Sequence, residues 1–207
     1  MNQRMHRRFA QFRVPILLSG LLLSLSLSGC REIVATLSDD PFRLEQPSQA
    51  ASSQFDLDRT ALTLLRWAII GQESGRNFRA VNPHSGALGY AQIMPSNLPR
   101  WSRDALGYVL SREQFLSRPD LQIAIIDHKL QQYWQRSLAA ANGNEAIAVR
   151  RVAAWWYSGN PNLYQSTRTQ YYNGYRYPSI AEYSQRVLQK YRGLLSQNSG
   201  VLRQERT

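Results

Sequence analysis

Cysteine is almost absent from this chain of 207 residues, which contains only Cys30. An intramolecular disulfide is therefore excluded, and the fold must be stabilised by its hydrophobic core. Histidine is also scarce: His6, His84 and His128 stand apart from one another, without an H-E-x-x-H pattern or a Cys/His cluster. Because protein zinc sites are built from closely spaced ligands of these types, we expect neither a metal site nor a cofactor.

Acidic residues are few, with 14 Asp and Glu against 25 Lys and Arg and a net charge of +11. Four of the arginines lie within the first 13 positions, and a chain that begins at residue 30 still carries +7. A basic surface suits nucleic acid, an anionic membrane or an anionic polymer, and charge alone does not choose among them. With 43% hydrophobic residues, the composition is that of a globular protein.

The one long hydrophobic run, VPILLSGLLLSLSLSG, follows the arginine-rich start. It is shorter than the roughly 20 apolar residues of a comfortable membrane-spanning helix, and it leads to Leu27-Ser28-Gly29-Cys30. These four residues resemble the lipobox of bacterial lipoproteins, in which a signal peptide is cut before a cysteine that becomes acylated. The resemblance implies a signal peptide over 1–29 and an exported protein, anchored by a lipid at Cys30 to a bacterial membrane and facing the cell wall. The alternative is a short anchor helix with an incidental thiol.

Helical patterns dominate the rest of the chain. Residues 30–55 are polar and predict a tether, residues 56–195 predict one domain, and residues 196–207 predict a polar tail. Apolar residues recur at three- and four-residue spacing from Leu57 to Ile69, and Gly75 ends this helix with Glu73 in its last turn. Glycines and prolines punctuate residues 74–103, which predict a loop.

Three further helices and one hairpin complete the predicted domain. Pro119 opens a helix that Asn142-Gly143 stops, and Asn144 caps another that ends at Gly159. The segment from Ser179 to Glu182 forms a capping box for the last helix. Asn173-Gly174 between aromatic pairs is typical of a tight hairpin turn. The predicted fold class is therefore mainly α, with at most a small β-hairpin.

Glu73 is the only acidic residue between Asp58 and Asp104. A carboxylate at the C-terminus of a helix faces the negative end of the helix dipole, and partial burial adds to the cost of its charge. Both effects raise the pKa and keep the group protonated near neutral pH, as a general acid must be. The alternative is a solvated surface glutamate paired with Arg76 or Arg79.

The residues around Glu73 resemble a known motif. Glu73-Ser74 is followed by Ser85-Gly-Ala-Leu-Gly-Tyr-Ala-Gln-Ile-Met-Pro95, and this arrangement is similar to that of the lytic transglycosylase catalytic (SLT) domain, within the goose-type lysozyme-like superfamily. In that family a helix ends in Glu-Ser, and a Gly-Ala-x-Gly-Leu-Met-Gln-x-Met-Pro segment comes about a dozen residues later. The resemblance implies a lysozyme-like helical domain.

Two later segments extend the resemblance. Residues 155–159, WWYSG, stand where the family has Ala-Tyr-Asn-Ala-Gly, so Trp156 keeps the aromatic and Tyr157 replaces the usual Asn. Residues 178–187 resemble Pro-Glu-Thr-x-x-Tyr-Val-x-Arg-Val, with Ser179 and Ile180 in place of Glu-Thr. The tyrosine of this segment lies close to the catalytic Glu in the family, which makes Tyr183 the candidate for orienting Glu73.

The resemblance implies a reaction that needs one carboxyl group. Glu73 would protonate the oxygen between N-acetylmuramic acid and N-acetylglucosamine, then take the proton of the muramyl C6 hydroxyl as a 1,6-anhydro ring closes. No water enters, whereas ordinary glycosidases need two carboxyl groups. The partner implied is the glycan strand of peptidoglycan, and nucleic acid is not expected because no nucleic-acid-binding motif is present.

The remaining motif residues are interpreted as support for this chemistry. Ser74 and Gln92 are expected to hydrogen-bond the substrate or the Glu73 carboxyl, and Met94, Trp156 and Tyr157 to contact the substrate. Gly86 and Gly89 permit a tight turn or a close backbone approach, or simply punctuate the loop. The tyrosines between the last two helices are expected mostly to pack the hairpin onto the helices, with one or two stacking on sugar rings; they are Tyr164, Tyr171, Tyr172, Tyr175 and Tyr177.

Two other functions remain open at this point. A muramidase would hydrolyse the same bond, with an acidic residue from elsewhere in the chain positioning a water molecule. A peptidoglycan-binding protein of the same fold would have kept the cleft without turnover, and the replacements at Tyr157 and Ser179 are compatible with it.

Overall fold

The structure is a computed structural model that describes residues 49–204, and side chains within residues 56–198. The predicted signal peptide, Cys30 and most of the predicted tether lie outside the described residues. The described part contains six α-helices: α1 Gln49–Glu73, α2 Leu98–Leu106, α3 Arg112–Ser117, α4 Pro119–Ala140, α5 Glu145–Ser158 and α6 Ile180–Gln204. A short 3-10 helix, Pro161–Leu163, and two antiparallel strands, β1 Gln170–Tyr172 and β2 Tyr175–Tyr177, lie between α5 and α6.

Helix α5 is the centre of the core and packs against both α4 and α6. Its side chains Ala148, Val149, Val152 and Ala153 are fully buried, because the repeat of small apolar residues lets neighbouring helices approach closely. Helix α1 packs on α6 and α4, and α2 lies on α4. The predicted fold class, mainly α with one small hairpin, is confirmed. Within residues 49–204, none of the helices is long and apolar enough to cross a membrane.

Local signals in the sequence set several boundaries correctly. The side chain of Asn144 caps α5 by accepting from Ile147 N at 3.0 Å. Ser179 and Glu182 form the predicted capping box of α6: Ser179 Oγ accepts from Glu182 N at 3.2 Å, and Glu182 Oε2 accepts from Ser179 N at 2.8 Å. Pro119 is the first residue of α4, where its missing N–H costs nothing.

The first and last helices extend beyond the bounds expected from the sequence. Helix α1 begins at Gln49 instead of near Asp56, since no Gly or Pro follows Pro47 to stop the helix from extending toward the N-terminus. Helix α6 continues to Gln204, through most of the segment predicted as a polar tail. Polar residues without proline are compatible with a solvated helix once its preceding turns are packed, and polarity alone does not indicate a tail.

The predicted loop over 74–103 is too long, because α2 already begins at Leu98. Pro99 suggested loop, but it lies in the first turn of α2, where proline is favoured. Helix α3 was not predicted, although Ser111 and Gln114 form its capping box. The part that does lack helix, between α1 and α2, carries the motif that follows Glu73.

Candidate active site

Glu73 is the last residue of α1. The chain turns away sharply after it, because Gly75 and Arg76 both adopt positive φ, 60° and 73°. The helix therefore delivers the carboxyl group to its own C-terminal end, as predicted, where the dipole disfavours a negative charge.

Tyr183 from α6 holds the Glu73 carboxyl group. The Tyr183 hydroxyl donates to Glu73 Oε1 at 2.5 Å, across 110 residues of sequence. Burial raises the pKa of Glu73 to about 7, and the bond from Tyr183 partly offsets this rise by favouring the charged form. Because Oε1 accepts from Tyr183, the other carboxyl oxygen is the one that can carry a proton toward a substrate.

The neighbouring arginines do not neutralise Glu73. The Arg76 guanidinium lies 5.4 Å from the centre of the Trp67 ring, and that of Arg79 lies 5.1 Å from the Phe78 ring. Among the described residues, the ion pairs formed by arginine and lysine leave Glu73 out. The interpretation of Glu73 as a surface glutamate paired with arginine is therefore not supported.

Tyr157 forms a second layer behind this pair. Its ring stacks on the Tyr183 ring, with centroids 4.2 Å apart and planes at 8°. Its hydroxyl donates to the Pro178 carbonyl oxygen at 3.0 Å, which ties the end of α5 to the start of α6. Burial, and then the nearby Glu73 charge, raise the pKa of Tyr157 to about 12. Tyr157 thus fixes the plane of the Tyr183 ring.

The loop after α1 is held by a buried amide that the sequence interpretation missed. Gln122 from α4 is fully buried; its Oε1 accepts from Tyr90 N at 2.9 Å, and its Nε2 donates to Phe78 O and Phe115 O, each at 2.8 Å. Gly89 passes directly over it, with φ +68, and a Cβ there would lie 2.3 Å from Gln122 Oε1. The signal in the sequence was a glutamine on the same face of α4 as Ile125 and Ile126.

The other predicted residues Ser74, Gly86, Gln92 and Met94 all lie in the segment between α1 and α2. Ser74 Oγ donates to Tyr90 O at 2.7 Å, so it joins α1 to the loop instead of contacting Glu73. Gln92 and Met94 line the same cleft as Glu73. Gln92 has φ +51, and its Nε2 donates to Gly89 O at 3.1 Å. Gly86 has φ +72, and its N–H donates to Asn82 O at 2.9 Å in a tight turn.

Glu73 opens into a cleft of about 400 Å³. The loop after α1 contributes Asn82, Ser85, Gln92 and Met94, and α5 contributes Trp156 and Tyr157. Trp156 is held in place by donating from Nε1 to Ala91 O at 3.1 Å. The hairpin also lines the cleft, through Gln170, Tyr171, Tyr172 and Tyr177. Among the described residues that line this cleft, Glu73 is the only carboxylic acid.

The hairpin tyrosines correct one expectation. Tyr171, Tyr172 and Tyr175 are exposed by 69%, 45% and 48%, so they do not pack the hairpin onto the helices. Tyr164 differs, since its ring is partly buried and lies 5.1 Å from the Arg150 guanidinium of α5. Exposed aromatic rings beside a cleft are surfaces on which sugar rings can stack.

A second groove, of about 450 Å³, lies between α1 and α4. Arg66 and Asp127 form an ion pair of 2.5 Å in it, and Trp134 lines it. Both acidic groups of this groove have partners, since Asp58 Oδ1 accepts from Trp134 Nε1 at 3.4 Å and Asp127 is paired with Arg66. Among the described residues, the hydrogen-bond partner of the Glu73 carboxyl is the neutral hydroxyl of Tyr183. The Glu73 cleft is the stronger candidate for chemistry.

Comparison with models of known protein families, with curated proteins and with solved structures found no match. Support for a function therefore comes from the side chains of the cleft and from the sequence motifs.

Replacing Tyr183 by Phe tests how the carboxyl group is held. We expect kcat of a reaction in which Glu73 is the acid to fall by up to about 100-fold, since small displacements of a reacting group have effects of that size. The hydrogen bond from Tyr183 lowers the pKa of Glu73, so its loss should raise that pKa and move the pH at which activity declines above about 7. The measurement is a pH–rate profile of that reaction.

Tyr191→Phe is the matched control for this experiment. Tyr191 lies on the same helix, is buried, and donates its hydroxyl to Glu145 at 2.6 Å, away from the cleft. The control should keep the wild-type profile. A Tyr183→Phe variant with an unchanged profile would contradict the role assigned to the hydroxyl.

Proposed function

We propose that this protein is a peptidoglycan lytic transglycosylase that cleaves the β-1,4 bond between N-acetylmuramic acid and N-acetylglucosamine. The observation that carries the proposal is a single carboxylic acid in an aromatic and amide-lined cleft. Its pKa is raised by burial to about 7, and a tyrosine holds it. Such a group is half protonated near neutral pH, so it serves as an acid and, after one proton transfer, as a base.

The chemistry runs in two steps on the same carboxyl group. Glu73 donates its proton to the glycosidic oxygen, and the bond from muramyl C1 to that oxygen breaks. The acetamido group of the substrate stabilises the cationic C1. The Glu73 carboxylate then takes the proton of the C6 hydroxyl, and the C6 oxygen bonds to C1. The products are a free N-acetylglucosamine end and a 1,6-anhydromuramyl end, and Glu73 is protonated again.

The cleft suits a sugar polymer in two respects. Amide side chains from both sides, Asn82, Gln92 and Gln170, provide donors and acceptors for hydroxyl and acetamido groups. Aromatic side chains provide flat apolar surfaces for the sugar faces; they are Trp156, Tyr157, Tyr172 and Tyr177. The basic charge of the chain adds a general attraction for the carboxylates of peptidoglycan.

A muramidase is less well supported. Inverting glycosidases place two carboxyl groups roughly 6.5–9.5 Å apart, and retaining ones roughly 5–5.5 Å apart. Glu73 has no such partner among the described cleft residues. A protein that only binds peptidoglycan would have no use for a carboxyl group whose burial is unfavourable to its charge.

Mass spectrometry of digested peptidoglycan tests the proposed reaction. The purified domain should release muropeptides with 1,6-anhydro ends, which are lighter by one water than the reducing-end products of hydrolysis. Reducing-end products would identify a muramidase. If the domain releases no muropeptides above a buffer control, the remaining interpretation is a protein that binds peptidoglycan without cleaving it.

Membrane attachment is a second part of the proposal and depends on the sequence alone. Cys30 lies outside the described residues, and an acyl anchor there would keep the enzyme beside the cell wall. Membrane fractionation of a Cys30→Ser variant tests this, since continued membrane retention would contradict lipidation.

A further inference from the structure

The tip of the hairpin touches the loop that follows Glu73. Asn173 Nδ2 donates to the carbonyl oxygen of His84 at 3.1 Å. The Tyr175 ring lies against the His84 ring, with centroids 3.6 Å apart and planes at 30°. These contacts, made by Asn173, Tyr175 and His84, are called the bridge below.

The hairpin side of the bridge has a defined geometry. Asn173 and Gly174 both have positive φ, 49° and 80°, as the tightest two-residue hairpin turn requires. Strand β1 pairs with β2 in the register Gln170 to Tyr177 and Tyr172 to Tyr175. Since directly paired residues share one face of an antiparallel ladder, these two pairs lie on the same face.

The loop side of the bridge is also held firmly. Asn82 Oδ1 accepts from His84 N at 2.9 Å and from Ser85 N at 3.0 Å. The backbone closes the same turn, with Asn82 N donating to Ala87 O at 2.9 Å. His84 therefore projects from an ordered turn, and the bridge joins two ordered segments.

Both joined segments line the Glu73 cleft. Asn82 and Ser85 line it from the loop, and the hairpin lines it through Gln170, Tyr171, Tyr172 and Tyr177.

We propose that the bridge makes the cleft accept a glycan strand by its end, so that the enzyme releases short products from strand ends instead of cutting within strands. The inference rests on the proposed function. A long polymer laid sideways into a cleft needs both sides of the cleft to be separate at the surface. Where the bridge joins them, a strand must thread past it or stop against it, and either way a strand end enters first. His84, Asn173 and Tyr175 are then specificity-determining residues.

The test compares product lengths on long, uncross-linked glycan strands. The double variant His84→Ala/Asn173→Gly removes the ring contact and the amide hydrogen bond, while glycine keeps the positive φ of the turn. Arg176→Gln is the control, because Arg176 is exposed on the same hairpin, makes none of the bridge contacts and does not line the cleft. Products are separated by size at equal numbers of bonds cut, so a change in rate alone does not affect the result.

The wild type and the control should release short 1,6-anhydro products while uncut strands keep their full length. The double variant should raise the share of mid-length fragments severalfold. Two results would overturn the inference and leave the proposed function standing. One is that the wild type produces mid-length fragments at the earliest times, and the other is that the wild type and the double variant give identical distributions of product length. If all three proteins fail to cut the strands, the proposed function fails, and the inference fails with it.

Discussion

A Glu73→Gln variant should lose the proposed glycan cleavage by roughly 10³-fold or more, because in the proposed reaction the amide neither donates the proton to the glycosidic oxygen nor takes the proton of the C6 hydroxyl. Glutamine keeps the size of the side chain and can still accept from Tyr183 through its amide oxygen. Sedimentation with insoluble peptidoglycan should therefore show near-normal binding. The measurement is the initial rate of 1,6-anhydro product release.

Glu113→Gln is the charge-matched control, since it removes one negative charge from an exposed helix start. It should retain wild-type activity. A Glu73→Gln variant that is as active as this control would show that another group is the acid.

Loss of folding would not explain inactive Glu73→Gln protein. The pKa of Glu73 is about 7 in the folded chain and 4.5 for the free group, so the folded state binds the proton more tightly. Its contribution to stability is present below pH 4.5 and is lost as the pH rises to about 7, by at most about 3 kcal/mol. Glutamine does not ionise, so the variant does not lose stability over this pH range. Its free energy of unfolding at pH 8 should equal or exceed that of the wild type.

A Gly89→Ala variant should be strongly destabilised and lose activity with its stability. A methyl group at this position would lie 2.3 Å from Gln122 Oε1 and 2.8 Å from Phe115 Cε1. Gln122 cannot move aside cheaply, because its amide satisfies three backbone groups, and each one left unpaired costs roughly 1–3 kcal/mol. We expect the free energy of unfolding, measured with urea, to fall by about 3 kcal/mol or more.

Gly107→Ala separates the two causes of this effect. Gly107 also has positive φ, +83, but nothing lies within 4 Å of its added Cβ. Its replacement should cost only the backbone strain, about 1–2 kcal/mol. Equal losses in the two variants would mean that strain alone matters and that the approach to Gln122 does not. A larger loss at Gly89, with Gln92 and Met94 displaced from the cleft, is the expected result.

Local signals accounted for much of the fold. The caps at Asn144 and Ser179, the turn at Asn173-Gly174 and the end of α1 after Glu73 all involve residues within a few positions of one another. Short-range hydrogen bonds and steric limits act on such spans, so they can be read from sequence. The start of α2 was missed because Pro99 favours both loops and first helical turns.

The contacts that define the cleft were harder to predict. Gln122 meets Tyr90 across 32 residues, and Asn173 meets His84 across 89. No pattern along the chain predicts contacts between residues so far apart in sequence, because these contacts depend on how α4 and the hairpin pack around the loop after α1. Tyr183 was assigned to Glu73 only through the family resemblance, and the structure provides the hydrogen bond that joins them.

The mainly helical fold and the one isolated acid at a helix end follow from periodicity and local composition. The acidity of that residue and the shape of its cleft depend instead on how distant segments pack. Burial raises the pKa of Glu73 to about 7 against the opposing effect of the Tyr183 hydrogen bond, and the bridge joins two of the segments that line the cleft. Burial is a property of packing, and therefore the identity of Glu73 alone could not provide it.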